Sequence, residues 1–202
     1  MKRLLWSAVF LAVSLSAWAM PTAEQNAEAA SAADHTAPSY DMKGQSLVDL
    51  EAVQKKFVAL ADALPADKFT WRPSADSRSF AELFLHVAGE RYGILGLMGA
   101  AKPEGFDGKT FEKSTTDKAR IIAELNKSWA FSEKTIHGIS NADFAKLLPK
   151  LGPQANEGDV VYILVADAHE HLGQAIAYAR ANGITPPWTA AAEKKNPQAP
   201  KE

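Results

Sequence analysis

Apolar side chains recur every three or four residues along most of this chain, and this spacing constrains the fold more than any other feature. The first stretch comprises Leu47, Leu50, Val53, Phe57, Leu60 and Leu64. Such spacing places side chains on one face of an α-helix, whereas a strand alternates every two residues. Because proline cannot continue a helix, the pattern predicts a helix that begins at Ser46 and ends before Pro65.

Three later segments repeat the helical spacing and carry signals for their ends. Ser79 and Glu82 form a capping box before the second helix, and Thr116 is the expected N-cap of the third. Gly183 is the expected stop after the fourth. The predicted ranges of these helices are 80–100, 117–139 and 158–181.

Strand-like alternation is confined to the neighbourhood of Leu147 and Leu148. The economical fold is therefore all-α, an antiparallel four-helix bundle. The segment before the first helix is rich in Ala, Thr, Ser, Glu and Pro, a composition that cannot offset the entropy of ordering. The predicted organisation is a signal peptide over 1–19, a flexible leader over 20–43, the bundle over 44–188 and a disordered tail over 189–202.

The N-terminus has the pattern of a secretory signal peptide. Lys2 and Arg3 precede an uncharged apolar run that ends in the small-x-small sequence Ala17-Trp18-Ala19. The alternative is an uncleaved anchor, but a membrane span needs about 20 apolar residues and this run is shorter. We therefore expect cleavage after Ala19, no membrane span in the mature chain, and a periplasmic or secreted protein.

Composition excludes several classes of function. The chain has no cysteine, which excludes a thiol nucleophile, a thiolate zinc site and an iron–sulfur cluster. Its formal net charge is −2, and it becomes −4 when the signal peptide removes two basic residues and no acid. Binding of nucleic acid calls for a basic surface, so we expect no nucleic-acid partner. Any metal must be held by His, Asp or Glu.

Histidines inside apolar helices are the first candidates for ligands. His86 interrupts the apolar run of the second helix, where an imidazole needs a partner to offset the loss of water. In the fourth helix, Asp167 and His171 lie about 40° apart on one face, whereas His169 is about 160° from His171. The predicted metal ligands are therefore His86, Asp167 and His171. The alternative is that His86 is an ordinary hydrogen-bonded core residue and that Asp167 belongs to a solvated face.

Two carboxylates are candidates for a general base near these ligands. Glu90 lies one turn after His86 and about 40° around the helix, and Glu170 lies about 100° from His171. We predict Glu90 as the catalytic residue, with an ordinary surface carboxylate as the alternative. Four glycines of the second helix are predicted to permit close packing, namely Gly89, Gly93, Gly96 and Gly99.

Two groups of short motifs resemble the DinB (DinB/YfiT-like) family of bacterial four-helix-bundle proteins. The first leads into the second helix and ends on its histidine, and the second spans the end of the fourth helix and its exit. These motifs are Trp71-Arg72-Pro73, Arg78-Ser79-Phe80-Ala81-Glu82-Leu83, His86-Val87-Ala88-Gly89, Glu170-His171-Leu172-Gly173-Gln174 and Gly183-Ile184-Thr185-Pro186-Pro187-Trp188. The likeness covers roughly residues 44–188.

The resemblance implies a divalent ion, commonly nickel or zinc, held by one histidine of the second helix and an H-x-x-x-H pair of the fourth. His86 and His171 match this pattern, but the remaining position is Asp167. An aspartate suits zinc, iron or manganese, and it is equally consistent with a weakened or abandoned site. His169 would serve only if a π-bulge distorted the helix. Gln174 is expected to cap the end of the bundle, with a contact to a metal ligand or to substrate as the alternative.

Two functions follow from these observations. The first is an exported metal-binding bundle with hydrolase or transferase activity on an unknown small-molecule substrate. Thiol-dependent transfer, which occurs among related proteins, is disfavoured because an exported chain would not meet the cytoplasmic thiol. The second is a non-catalytic bundle with a degenerate metal site that binds a small molecule or a protein partner. Bundles of this kind often pair, so a homodimer stays open.

Overall fold

The computed structural model describes residues 41–196, and within them the secondary structure is helical except for one isolated bridge between Leu147 and Asn156. The α-helices are α1 (Met42–Ala63), α2 (Phe80–Gly96), α3 (Lys118–Gly138), α4 (Glu157–Ala181) and α5 (Pro187–Lys195). Short 3-10 helices cover Ala66–Thr70, Phe111–Lys113 and Asp143–Ala145. The all-helical bundle is thereby confirmed. The predicted signal peptide and nearly all of the predicted leader lie outside the described residues.

Side-chain caps determine where the first two helices begin. The Asp41 side chain accepts a hydrogen bond from the backbone N–H of Gly44, so α1 begins at Met42 rather than at the predicted Ser46. The predicted capping box before α2 is confirmed. This helix ends at Gly96 rather than near position 100, and Gly99 has a φ of +90° in the turn that follows.

The cap of α3 differs by one residue from the one predicted, and α4 begins one residue before its predicted start. Asp117, and not Thr116, caps α3 by accepting a hydrogen bond from the N–H of Arg120. Asn156 caps α4 in a second capping box, with Asp159 as its partner. Since Asp and Asn are strong N-cap residues, these choices follow the usual preference.

The predicted disordered tail over 189–202 is wrong for residues 189–195, which belong to α5, and residues 197–202 lie outside the described part of the chain. Pro187 stands at the first position of this helix, where its missing N–H costs nothing, and alanines follow it. Trp188 packs against the core, and Lys56 of α1 lies 5.6 Å from the centre of its ring. Packing of the tryptophan holds this segment against α1.

Helices that follow one another in sequence are not all neighbours in the bundle. Both α1 and α2 pack against α3 and α4, which places α1 diagonally opposite α2. The first and third helices are antiparallel, since Lys43 reaches Ile139 at one end and Lys118 reaches Leu64 at the other. The second and fourth helices are also antiparallel, because the start of α2 lies beside the end of α4, where Tyr178 stands.

The neighbouring helices α2 and α3 run in the same direction, which departs from the predicted antiparallel arrangement and requires a long connection. Both begin near the C-terminal end of α1, so the chain must travel back along α2 after Gly96. Residues 97–117, here called the return segment, form this connection. Lys102 lies against Gly96, and Phe111 lies 3.1 Å from the Cβ position of Gly89. The return segment therefore covers one face of α2 and brings its end toward His86.

An apolar core fills the bundle and includes a cluster of aromatic rings between α1, α2 and the first 3-10 helix. Phe57, Phe69, Phe80 and Phe84 are fully buried and stack or pack edge to face. The described helices include none that is both long and apolar enough to cross a membrane.

Candidate metal centre

Two imidazoles meet in the middle of the bundle. His86 projects from α2 and His171 from α4, and their Nε2 atoms are 3.0 Å apart. The histidine side chains are only 11% and 10% exposed. They meet because α2 and α4 are antiparallel neighbours, which brings together residues 85 positions apart in sequence.

Hydrogen bonds on the far side of each ring fix the tautomers. His86 Nδ1 lies 2.6 Å from Glu112 Oε1, and His171 Nδ1 lies 3.1 Å from Gln174 Oε1. The Gln174 amide nitrogen in turn donates to the hydroxyl of Tyr178 at 3.0 Å, which orients its carbonyl oxygen toward the histidine. Both Nδ1 atoms are therefore donors, and in neutral rings both Nε2 atoms carry lone pairs.

Asp167 completes a set of three atoms that can coordinate one ion. Its Oδ1 lies 3.2 Å from His171 Nε2, and the ligand atoms of His86, Asp167 and His171 all lie within 4.8 Å of one another. Two Nε2 atoms bound to one zinc at about 2.0–2.1 Å stand roughly 3 to 3.4 Å apart, which matches the spacing observed. Two facing lone pairs repel unless a proton or a cation lies between them, so the donor set fits a divalent ion.

The other metal-competent residues of α4 lie elsewhere. His169 pairs with Asp49 of α1 at 2.7 Å, and its side chain is 51% exposed. Glu170 is also exposed. Since α4 is a continuous α-helix through this region, His169 stays on the outer face. The structure thus brings Asp167, and not His169, to the two buried histidines.

Glu90 lies at the edge of this cluster. Its Oε1 is 3.5 Å from His86 Nε2, and its side chain is one-third exposed. Burial, together with the nearby negative charge of Asp167, raises the pKa of Glu90 above its usual value. A carboxylate that is partly in contact with water and has a raised pKa suits proton transfer.

Asp167 also acts on its helical neighbour. The hydrogen bond from His171 to Asp167 raises the pKa of this histidine, and its partner Gln174 adds to the effect, although burial opposes both. In the absence of an ion, the site therefore favours a proton on His171. A proton and a divalent cation compete for the same lone pair.

Glu112 and Arg78 belong to the site but were missed by sequence reasoning. Arg78 binds the Glu112 carboxylate through two nitrogens, at 2.9 and 3.3 Å. Burial raises the pKa of Glu112, but hydrogen bonds from Arg78 and His86 outweigh that effect and hold it below its usual value. The ionised Glu112 is therefore well placed to orient His86. No periodic pattern marks the return segment, so nothing in the sequence pointed to Glu112, and Arg78 stood out only as the first residue of a family-like motif.

Two other expectations need correction. Gln174 was expected to cap the bundle, whereas it hydrogen-bonds His171. Close packing explains Gly89, whose Cβ position would crowd the Phe111 ring, whereas at Gly96 a Cβ would meet only the flexible side chain of Lys102. Close packing does not explain Gly93, around which a Cβ would meet nothing within 4 Å, nor Gly99, which lies beyond the end of α2.

Comparison with known proteins agrees with the fold. A conserved protein from Enterococcus faecalis shares 16% identity with this chain at a TM-score of 0.60, covering 70% of this chain and 97% of its own length. A DinB-like protein from Bacillus cereus gives the same identity, TM-score and coverage of this chain, with 93% of its own length covered. A sequence search of curated proteins gave no significant match. The family model of the DinB superfamily matches residues 49–175. The chain therefore belongs to the DinB superfamily.

Proposed function

We propose that this protein binds a divalent metal ion through His86, Asp167 and His171 and uses it for hydrolysis or group transfer on a small-molecule substrate. The observation that carries the proposal is the approach of two Nε2 lone pairs to 3.0 Å, with both Nδ1 atoms occupied by other acceptors. A cation between the two Nε2 atoms stabilises this arrangement, because the facing lone pairs of two neutral rings in these tautomers repel each other.

The residues around the ligands suit acid–base chemistry. A divalent ion bound there lowers the pKa of a coordinated water and polarises a carbonyl oxygen. Glu90 is the general base in this proposal, since it lies beside the ligands and its raised pKa brings it closer to neutrality. Glu112, held by Arg78, keeps the His86 ring oriented by accepting its Nδ1–H.

Two nitrogens and one carboxylate are compatible with zinc, nickel, iron or manganese. Compared with a third histidine, Asp167 adds a negative charge and a harder ligand, which shifts preference toward zinc, iron and manganese. We therefore propose zinc, iron or manganese ahead of nickel.

Metal content tests the ligand set. The chain without a histidine tag is incubated with zinc, nickel, iron(II) or manganese, desalted and analysed for metal per chain. We expect close to one ion in the wild type and a large loss in His86→Ala, Asp167→Ala and His171→Ala. Two control variants, His137→Ala and His169→Ala, remove exposed imidazoles and should keep the wild-type content. Loss in His169→Ala with retention in Asp167→Ala would overturn the choice of ligands.

Activity tests the role of Glu90. A series of p-nitrophenyl esters serves as the probe for hydrolysis by the metal-loaded protein. Removing a general base costs typically 10²–10⁴-fold, so Glu90→Gln should retain its metal and lose about 100-fold or more of any activity. The exposed Glu170→Gln is the matched control. Equal rates in wild type and Glu90→Gln would remove Glu90 from the mechanism.

One observation favours a second candidate function, a non-catalytic bundle with a degenerate metal site. If one imidazole is protonated at Nε2, His86 and His171 form a hydrogen bond to each other, and Asp167 supports the charge. The cluster then holds together without an ion. Substoichiometric metal that is unchanged by His86→Ala and His171→Ala would support this function, with a small molecule or a protein as the ligand.

We also propose export, based on the signal-peptide pattern of residues 1–19. The mass of the protein recovered from a bacterial periplasmic fraction tests it, and a chain that begins at Met20 is expected. Recovery of the full-length chain in the cytoplasmic fraction alone would contradict export.

A further inference from the structure

A groove runs along α2 from the metal-competent histidines toward the end of the helix. Its volume is about 540 Å³, and it is bounded on one side by α2 and on the other by the return segment. On the helix it extends from His86 to Leu97. At about 1.5 Å per residue, this corresponds to roughly 16 Å along the helix axis. The groove is therefore long enough for an extended molecule with one end at the histidines.

Glycine keeps the middle of this groove open. Gly93 lies two turns after His86 on the same face, and a Cβ there would meet nothing within 4 Å. A glycine within a helix lowers the stability of the fold relative to alanine, and at Gly93 close packing does not compensate for this loss. The walls beside it are apolar, formed by Ile94, Leu97, Phe106 and Phe111. An apolar stretch of a ligand fits this part of the groove.

Lys102 marks the far end of the groove with a positive charge. Its side chain crosses Gly96, where a Cβ would come within 2.7 Å of the lysine Cε. Among residues 41–196, the Lys102 ammonium has no hydrogen-bond or ion-pair partner, and it stands 5.8 Å from the centre of the Phe106 ring. An ammonium without a carboxylate, held over apolar groups, is a suitable contact for an anion.

Two of the acidic residues that line the groove, Asp107 and Glu112, form hydrogen bonds within the protein. Asp107 accepts hydrogen bonds from the backbone of Lys109 and the hydroxyl of Thr110, both at 3.0 Å. Glu112 is held by Arg78 and His86. The remaining carboxylate, Glu90, lies at the histidine end. These bonds do not remove the charge of Asp107, but they occupy its oxygens and leave the Lys102 ammonium as the contact for an anion at the far end.

We propose that this groove binds an elongated amphipathic anion. Its apolar chain lies over Gly93, its negative group is bound by Lys102, and its opposite end reaches the His86 side. The placement of the substrate's reacting end at the histidines rests on the proposed function. The substrate class is then a medium-chain aliphatic compound with a terminal negative charge.

Calorimetric titration of the EDTA-treated protein tests the groove, with dodecanoate as the anionic probe and dodecan-1-ol and dodecylammonium as its neutral and cationic counterparts. Lys102 is the only lysine or arginine among the residues that line the groove, so its substitution separates its contribution from that of the histidine end. We expect dodecanoate to bind more tightly than either counterpart. Lys102→Ala should weaken dodecanoate about 10-fold or more and leave dodecan-1-ol unchanged, whereas Lys102→Arg should retain binding.

Gly93→Leu should block the groove and weaken both dodecanoate and dodecan-1-ol about 10-fold or more, with a circular dichroism spectrum like that of the wild type. Lys109→Ala, an exposed lysine outside the groove lining, is the matched control. Failure of wild type to bind dodecanoate, tighter binding of dodecylammonium, or no effect of Lys102→Ala would overturn the proposal. Since the titration needs no metal, its failure is distinct from failure of metal binding, which is measured as metal per chain.

Discussion

In the proposed metal site, Glu112 is expected to set how strongly His86 holds the ion, and replacing Glu112 with glutamine tests this expectation. Glu112 Oε1 lies 2.6 Å from His86 Nδ1, and Arg78 holds the carboxylate from the other side. Glutamine preserves the size of the side chain but leaves the imidazole with a neutral partner in place of an ionised one. Partners of this kind change metal affinity by about 10–100-fold, which corresponds to about 1.4–2.7 kcal/mol of binding free energy.

Competition with a chelator of known zinc affinity measures this effect on the purified protein. We expect Glu112→Gln to bind zinc about 10–100-fold more weakly than the wild type. The control is Glu170→Gln, which removes an exposed carboxylate adjacent to His171 in sequence and should not change the affinity. Equal zinc affinities in wild type and Glu112→Gln, or an equal loss in the control, would refute the reasoning.

Three further predictions concern stability. Gly93→Ala should raise the free energy of unfolding in urea by about 0.5–1 kcal/mol, because its Cβ enters open space. Gly89→Ala should gain less stability or lose some, because its Cβ would meet a phenyl carbon at 3.1 Å. Equal gains in the two variants would contradict this reasoning. Arg91 is buried with one nitrogen unpartnered among the described residues, and burial lowers its pKa to about 10. The free energy of unfolding of Arg91→Met should therefore stay within about 1 kcal/mol of the wild-type value, whereas Arg91→Ala should lose about 2–5 kcal/mol. Equal losses in the two variants would show that the charge of Arg91 matters more than its volume. In metal-free protein, the raised pKa of His171 stabilises the fold fully below its ordinary value of about 6.5, and this stabilisation is lost as pH rises through the raised value. Unfolding measured across pH 5–8 should show this decline, and Asp167→Asn should flatten it; an equally steep decline in that variant would argue against the assignment.

The sequence was sufficient to predict helices and to place side chains on their faces. Periodicity gave four helices, and angular spacing placed Asp167 with His171 and apart from His169, as the structure also places them. These predictions depend on geometry within one helix, which local sequence determines. The metal itself stays a prediction.

The sequence did not show which helices are neighbours or where the connections run. The pairing of α2 with α4 and the diagonal placement of α1 depend on the packing of whole faces. Glu112 reaches His86 only because the return segment runs back along α2, and its own local pattern is that of a polar loop. Likewise, Gly93 looks like a packing residue in sequence, and only the position of the return segment reveals the open space beside it.

The separation of His86 and His171 along the chain has a consequence for kinetics. An ion shared by these two side chains acts as a reversible cross-link that closes a loop of 85 residues, from the second helix to the last helix of the bundle. A cross-link that forms only in the folded state slows unfolding more than it speeds folding. If the chain binds such an ion, the lifetime of its folded state in the presence of proteases would follow the supply of metal.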